Sequence, residues 1–331
     1  TPKPSSAASD VYKRQTLQAN AVTQAAQISN LTDMQLLALT SLQIGGLSTQ
    51  QLGQISGIRL ASISASQIKG LSTNQIASLT TAQLSSINPS TIAKLDTVQL
   101  SALNSQMVGS LSTSQLKSLA PDVIKALSTN QIVGLTPSQV AALTTAQTKF
   151  LTTGQLNGFT TNQLTAITSS AIAAIDGVTI AKLNTSLIQA LTTSQIKGLK
   201  ASQVQVLSTS QIMALTTKQI QQLEVDDIKT LSVLQVSKLS SSQIAALSMS
   251  ATQLGALTAS QLNAVDNASL PYIKVSLLKP LSLAGMNQSK LTALFAPTQL
   301  NKMSLDQWNL LGASKRKSLL DLMTSQSRVF Y

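Results

Sequence analysis

The chain has 331 residues, of which 10% are charged and 2% are aromatic, and it carries a net charge of +12 with no Cys and no His. The absence of both residue types excludes disulfides, thiol nucleophiles, thiolate or imidazole metal sites and the usual general base near neutral pH. Because aromatic side chains are rare while 43% of residues are hydrophobic, any core has to be built from aliphatic side chains.

Residues 1–15 share neither the period nor the composition of the residues that follow. The run from Ser9 to Gln15 looks like the translated adapter sequence found in environmental sequence assemblies, and the chain has no initiator Met. We therefore expect residues 1–15 to be a non-native, disordered scar on a fragment of a longer protein, and we exclude them from the fold.

From Leu31 to Ala246 the sequence consists of 27 consecutive eight-residue units, here called octads, with the consensus L-[ST]-T-x-Q-I-x-small. Position one is Leu, Ile or Phe throughout, position six is apolar except at Thr148, and position five is Gln in 19 octads. A related unit at 23–30 places the predicted start of the array near Thr16, so the predicted repeat domain covers residues 16–264.

The octad predicts one very short helix per unit. A continuous α-helix is excluded because eight residues overshoot two turns by about 80°, so the apolar stripe would spiral into water. A continuous strand is excluded because positions one and six would point to opposite faces. In Leu71 to Ile76, by contrast, Ser72 and Gln75 have the spacing of a capping box, flanked by the two apolar residues of a hydrophobic staple.

Two further features agree with a helix that starts at position three. Pro89, Pro121 and Pro137 all fall at that position, where a helix loses no hydrogen bond to proline. Lysines concentrate in the last two positions of the octad, as the helix dipole favours. Position eight is small, as at Gly70 and Gly158, and predicts a close approach of successive turns.

A helix of one and a half turns is far below the roughly 12–15 residues at which isolated helices become marginal. Each octad therefore needs neighbours that share its core. The predicted fold class is all-α, an α-solenoid or superhelix of very short capped helices, one per eight-residue repeat. The octad pattern does not specify how many repeats form one turn of the solenoid.

After Ala246 the period slips, with a ten-residue unit from Leu247 to Ala256 followed by a normal octad. Residues 265–331 are predicted to be degenerate repeats that form a C-terminal helical cap. Near the end, Ser304 and Gln307 again have capping-box spacing, and Trp308 is expected to plug the end of the core.

No catalytic, cofactor-binding or metal-binding residue is predicted, and the chain is not expected to be an enzyme, because no Ser or Thr has a His partner and the many hydroxyls at position two already have a capping role. If the helix starts align, the threonines after the cap form a polar face that could bind a ligand. These candidates are Thr73, Thr81, Thr129, Thr145, Thr153, Thr161, Thr193, Thr209 and Thr217. A second candidate contact is the basic run Lys315, Arg316 and Lys317.

The octads resemble the tandem L-T-x-x-Q-I-x-x-L arrays of large bacterial surface or secreted adhesin-like proteins. The resemblance covers about three quarters of the chain and implies a structural stalk or an adhesion module, outside the cell or at its surface, whose partner is a polysaccharide, another cell-surface polymer or a protein. No stretch approaches the roughly 18 consecutive apolar residues of a membrane span.

Three alternatives stay open. A basic scaffold could bind nucleic acid, which the pI near 10.0 favours and the scarcity of Arg and aromatic residues disfavours. A scaffold for protein partners is also compatible with the repeats. A regular array of threonines is, as a minor alternative, compatible with ice binding.

Overall fold

The computed structural model describes residues 31–295 and 299–327. The predicted scar at 1–15 and the start of the array near Thr16 lie outside these residues. The described part is all-helical and contains no strand, which confirms the predicted all-α class. The chain divides into two compact units, one up to Ile167 and one from Thr168 onward.

In the first unit each described octad forms one helix of four to six residues. The helices are α1 (Asp33–Leu37), α2 (Ser41–Gly45), α3 (Thr49–Gly53), α4 (Gly57–Leu60), α5 (Ala65–Lys69), α6 (Thr73–Ser78), α7 (Thr81–Ser86), α8 (Pro89–Ile92), α9 (Thr97–Ser101), α10 (Ser105–Ser110), α11 (Thr113–Ser118), α12 (Pro121–Ala126), α13 (Thr129–Ile132), α14 (Pro137–Ala142), α15 (Thr145–Lys149), α16 (Thr153–Gly158) and α17 (Thr161–Ala166).

The second unit continues the pattern and then becomes irregular. Its α-helices are α18 (Ser169–Ile172), α19 (Gly177–Ala181), α20 (Thr185–Ala190), α21 (Thr193–Lys197), α22 (Ala201–Gln205), α23 (Thr209–Ala214), α24 (Thr217–Ile220), α25 (Val225–Thr230), α26 (Val233–Ser237), α27 (Ser241–Leu247), α28 (Ala251–Leu254), α29 (Ala259–Ala264), α30 (Pro280–Ala284), α31 (Gln288–Leu294), α32 (Leu305–Leu310) and α33 (Ala313–Ser327). Short 3₁₀ helices cover Leu270–Tyr272, Val275–Leu277 and Leu300–Lys302.

The octad from Leu71 to Ser78 illustrates why each helix starts and stops. Ser72 has extended backbone angles, and its Oγ accepts the N–H of Gln75 at 3.3 Å. The Gln75 Oε1 in turn accepts the N–H of Ser72 at 2.8 Å, which completes the predicted capping box. The helix ends because the next position-one residue, Leu79, returns to extended angles and turns its side chain into the core.

The core consists of the two staple positions. Leu71 at position one is 3% exposed and Ile76 at position six is fully buried, and the same two positions are buried in nearly every described octad. Burial of such side chains contributes about 1.5–3 kcal/mol each. The one polar residue at position six, Thr148, is also fully buried, and its hydroxyl donates to the Thr144 carbonyl in its own helix.

Within each unit a helix packs against the helix three places later, for example α5 on α2 and α8 on α5 in the first unit, and α25 on α22 in the second. Hydrogen bonds reach back 28 and 31 residues, so one turn of the solenoid, here called a coil, holds between three and four octads. This packing confirms the predicted solenoid and supplies the coil size that the octad pattern left open.

The small residues at position eight allow the predicted close approach. A Cβ added to Gly70 or Gly134 would collide with the backbone of Ser41 or Ser105, at position three of the coil before. At Gly158 the added atom would lie 2.5 Å from the Thr129 Cγ2. Position eight therefore packs on position three of the octad three repeats earlier.

The irregular end departs from one expectation. The box of Ser304 and Gln307 forms as predicted, with Gln307 1% exposed. Trp308, however, is only half-buried, and Leu311 and Leu319 are the fully buried residues nearby. The prediction that Trp308 plugs the core is therefore wrong, because the large indole is not enclosed where smaller aliphatic side chains are. The boundary at residue 265 stays a prediction.

Candidate functional site

The most regular polar feature of the described chain is a contact made by the position-five glutamines. In Gln75 the Oε1 accepts the N-cap amide, while the Nε2 donates to the carbonyls of Ile44 at 3.1 Å and Leu47 at 2.7 Å in the preceding coil. The side chain is 3% exposed. We call this donation to the preceding coil the glutamine contact.

The glutamine contact recurs with the same spacing of 31 and 28 residues in both units. It is made by Gln67, Gln75, Gln83, Gln99, Gln115, Gln131, Gln139, Gln147, Gln155, Gln203, Gln211, Gln219, Gln235 and Gln243. Each amide satisfies one buried N–H and two carbonyls whose burial without partners would be costly.

Sequence reasoning identified these glutamines as box partners but missed the contact between coils. A signal for it was present, since a capping box accepts Glu as readily as Gln, yet position five holds 19 Gln and no Glu. A carboxylate can accept the N-cap amide but cannot donate to a carbonyl. The absence of Glu at position five is therefore explained by the second role of the glutamine amide, which is to donate to carbonyls of the preceding coil.

The nine candidate threonines all occupy the first position of their helices and are exposed or half-buried. The structure brings some of them together: Thr81, Thr129 and Thr153 belong to the stacked series α7, α10, α13 and α16. Thr73 and Thr145 lie in a second series, α6, α9, α12 and α15, and Thr161 lies in α17.

In the second unit Thr193 and Thr217 lie in α21 and α24, which stack, while Thr209 lies in α23. The threonines are thus distributed over several helix series around the coils. Their proposed role in binding stays a prediction.

The three residues of the basic run differ in their surroundings. The Lys315 Nζ donates to the Ala284 carbonyl at 2.5 Å, so its ammonium already has a backbone partner. Arg316 is half-buried and Lys317 is exposed on the same helix, α33. Lys290 makes a comparable bond to the Val265 carbonyl at 2.7 Å. These two lysine bonds add to the contact that Gln307 still makes in this irregular region, where its Nε2 donates to the Val275 and Leu278 carbonyls at 2.8 Å. Lys317 is the exposed member of the basic run.

Asp227 is the one acidic residue at position five, and burial raises its pKa to about 6. Its Oδ2 accepts the Glu224 N–H at 2.8 Å, which lowers the pKa, while the charges of Glu224 and Asp226 raise it further. On the helices packed against α25, α22 has Lys200 at its N-cap and α28 has no titratable residue. An ionised carboxylate here cannot form the glutamine contact.

An open cleft of about 440 Å³ lies beside this octad. Its polar lining includes Lys197, Gln222, Glu224, Asp226, Ser250 and Gln253. Within residues 31–295 and 299–327, no group of three His, Cys, Asp or Glu side chains is placed to hold a metal ion. Over the same residues, no helix has the length and apolar character that crossing a membrane requires.

The family model described as the ALTTAQ repeat matches residues 110–145, 121–153 and 180–217. The run Ala142 to Gln147 spells this motif, and there it supplies a staple residue, an N-cap and a position-five glutamine. The matches confirm a tandem repeat protein. A comparison with curated protein sequences gives no significant match.

Proposed function

We propose that the chain is a non-enzymatic repeat scaffold that serves as a structural stalk or adhesion module of a surface or secreted protein. The observation that carries this proposal is the glutamine contact, which joins coil to coil by the same buried bonds in both units. The recurring polar side chains at positions two and five of the octads are engaged in helix caps and coil contacts. Such side chains maintain a stack and are not free to form a reaction centre.

The adhesive form of the proposal rests on charge. Lys69, Lys94 and Lys117 are exposed near the ends of α5, α8 and α11, which stack on one another in successive coils of the first unit. Neither of the two ion pairs among the described residues includes them. A series of cations with one member per coil suits an acidic polysaccharide, whose charges also repeat along a chain.

The second candidate, a nucleic-acid scaffold, would use the same lysines. It receives less support because the whole chain has four Arg and one Trp, and these are the side chains that most often read or stack on bases. Both candidates predict salt-dependent binding, so the identity of the polymer and the slope of the salt dependence separate them.

The test is to measure binding to a heparin-type polysaccharide, duplex DNA and neutral dextran between about 50 and about 300 mM salt. We expect the polysaccharide to bind and the triple variant Lys69→Gln, Lys94→Gln, Lys117→Gln to bind at least about fivefold more weakly. The matched control, Lys200→Gln, Lys218→Gln, Lys238→Gln, removes the same charge elsewhere. An equal loss of polysaccharide affinity in both variants would contradict the adhesive form. Binding of DNA alone, with a steep dependence on salt, would contradict it as well.

The predicted surface location is a separate part of the proposal. Antibodies against the repeat would label intact cells of the source organism if the protein is displayed on the surface. Labelling that appears only after the cells are permeabilised would contradict both the stalk and the adhesion module, and would favour an intracellular scaffold.

A further inference from the structure

Two departures from the octad pattern lie next to each other in the second unit. The first is the octad of α25, which places Glu224, Asp226 and Asp227 within four residues of a chain that has only 11 acidic residues. The second is the ten-residue unit from Leu247 to Ala256, which forms α28. Because α28 packs on α25, the acidic octad and the two-residue insertion border the same cleft.

The insertion leaves one buried polar atom without a partner. In a regular octad the N-cap amide donates to the Oε1 of the position-five glutamine, but the Ser250 N–H donates to the Leu247 carbonyl at 3.2 Å. The Gln253 Oε1 therefore has no hydrogen-bond partner, although the side chain is only 5% exposed. Its Nε2 still makes the glutamine contact, at 2.6 Å to the Leu223 carbonyl.

The orphan oxygen belongs to a residue that lines the cleft. Gln253 and its N-cap Ser250 both line it, as do the exposed residues Glu224 and Asp226. In the regular octads Oε1 faces the N-cap residue, and the N-cap residue of this unit, Ser250, is part of the cleft lining. A buried acceptor without a donor is the kind of atom that a bound N–H group satisfies.

We propose that this cleft binds a small molecule carrying a protonated primary amine. The ammonium group is attracted by Glu224 and Asp226 and donates an N–H to the Gln253 Oε1. Lys229 pairs with Asp226 at 2.9 Å, whereas neither ion pair of the described residues includes Glu224, which makes Glu224 the main counter-charge. Lys197 at the rim supplies a donor for a hydroxyl or carboxylate of the same ligand.

A metal ion fits the cleft less well. A metal site in a protein is built from several oxygen, nitrogen or sulfur ligands that converge on one point. No set of three acidic side chains converges in the part of the chain that the structure describes. An ammonium group needs only the acceptors that the cleft contains, since each of its N–H bonds pairs with one oxygen.

The proposal is tested with the full chain and the amino alcohol ethanolamine as the probe, by isothermal titration at constant ionic strength. We expect one saturable site. Its affinity falls at least about tenfold in the double variant Glu224→Gln, Asp226→Asn, because the counter-charges are lost. The control Asp122→Asn, which removes an exposed acidic residue of α12 in the other unit, leaves the affinity within about twofold.

A second variant tests the role of the unpaired oxygen without a change of charge. Deletion of Ser248 and Met249 converts the ten-residue unit to LSATQLGA, a consensus octad in which the Ser250 N–H again faces the Gln253 Oε1. The deletion also restores the spacing of the Gln261 contacts, now 33 and 30 residues, to 31 and 28. We expect loss of the amine site with an unchanged helical circular-dichroism spectrum.

The outcomes are distinct. Absence of saturable binding at about 10 mM ethanolamine, an affinity far weaker than that of typical specific sites, overturns the proposal. Binding that is equal in the parent and both cleft variants places the amine elsewhere on the chain and overturns it as well. Loss in both variants, with retention in Asp122→Asn, supports it.

Discussion

The octad Leu207–Ala214 and the ten-residue unit Leu247–Ala256 make the same contact with the coil before them but form different caps. Gln211 donates to the Ile180 and Leu183 carbonyls at 2.9 Å, and Gln253 likewise reaches the Leu223 carbonyl. The Ser208 N–H donates to the Gln211 Oε1 at 2.8 Å, whereas the Ser250 N–H turns to Leu247. Coil stacking therefore tolerates an insertion that the capping box does not.

The loss of the capping bond in the ten-residue unit separates two roles that the position-five glutamine combines in the regular octad. The donor side of the glutamine links coils, and the acceptor side closes a local helix start. If this separation is correct, variants at core and donor positions change stability most, and variants that affect only the cap change it least.

Ile212→Ala tests the shared core. The side chain is fully buried, and its truncation is expected to lower the free energy of unfolding by about 2–5 kcal/mol in a urea titration. Met213→Ala, one residue later and 59% exposed, is the control and is expected to change stability by less than about 0.5 kcal/mol. Similar losses in the two variants would contradict a core built from position six.

Gln211→Glu tests the donor side. The new carboxylate keeps the box acceptor but places an ionised group against two buried carbonyls, so we expect a loss of about 2–3 kcal/mol at pH 7. The loss should shrink toward pH 4, where the carboxyl becomes protonated and can donate. Gln205→Glu, at an exposed site on α22, is the matched control. A Gln211→Glu variant as stable as this control would show that the donor side contributes little.

Asp227→Gln restores the consensus and is expected to stabilise the chain. The pKa of Asp227 is about 6 in the folded state against an ordinary value of 3.8, so the folded state favours the protonated form. The stability that this carboxyl contributes is present below about pH 4 and is lost as pH rises to about 6. The variant should therefore gain about 2 kcal/mol over the parent at pH 7.5 and little at pH 4. A gain that does not change with pH would contradict this assignment.

Deletion of Ser248 and Met249 should raise stability by about 1 kcal/mol, because the buried Gln253 Oε1 regains a donor. Thermal unfolding followed by circular dichroism measures this change. The matched deletion of two residues from a regular octad, Ser210 and Gln211, removes a glutamine contact and should destabilise the chain. Destabilisation by both deletions to the same extent would indicate that the insertion is part of the packing.

Much of the fold follows from the octad itself. Ser72, Gln75 and the staple pair Leu71 and Ile76 specify the helix start by local chemistry alone, so the sequence suffices to predict them. The number of octads per coil depends on how helices three places apart fit together, for instance Gly70 against Ser41, and local chemistry does not determine that fit. The glutamine contact was predictable in principle from the exclusion of Glu.

The cleft was not predictable from the sequence, although its ingredients were visible there. Asp226 and Asp227 stood out as an acidic pair, and the slip after Ala246 stood out as a change of period. Their adjacency arises because α25 and α28 stack in neighbouring coils. The Gln253 Oε1 loses its partner because of the turn taken by Ser250, where the inserted residues change the backbone angles from those of an ordinary cap.

The most direct test of the account is side-chain amide hydrogen exchange, measured by NMR for individual glutamines. The position-five glutamines, such as Gln211 and Gln219, hold their Nε2 groups in buried bonds to the preceding coil, whereas Gln205 and Gln221 are exposed. We predict that the Nε2 protons of the first pair exchange at least about 100-fold more slowly than those of the second. Equal exchange rates in the two pairs would contradict a solenoid whose coils are joined through its glutamines.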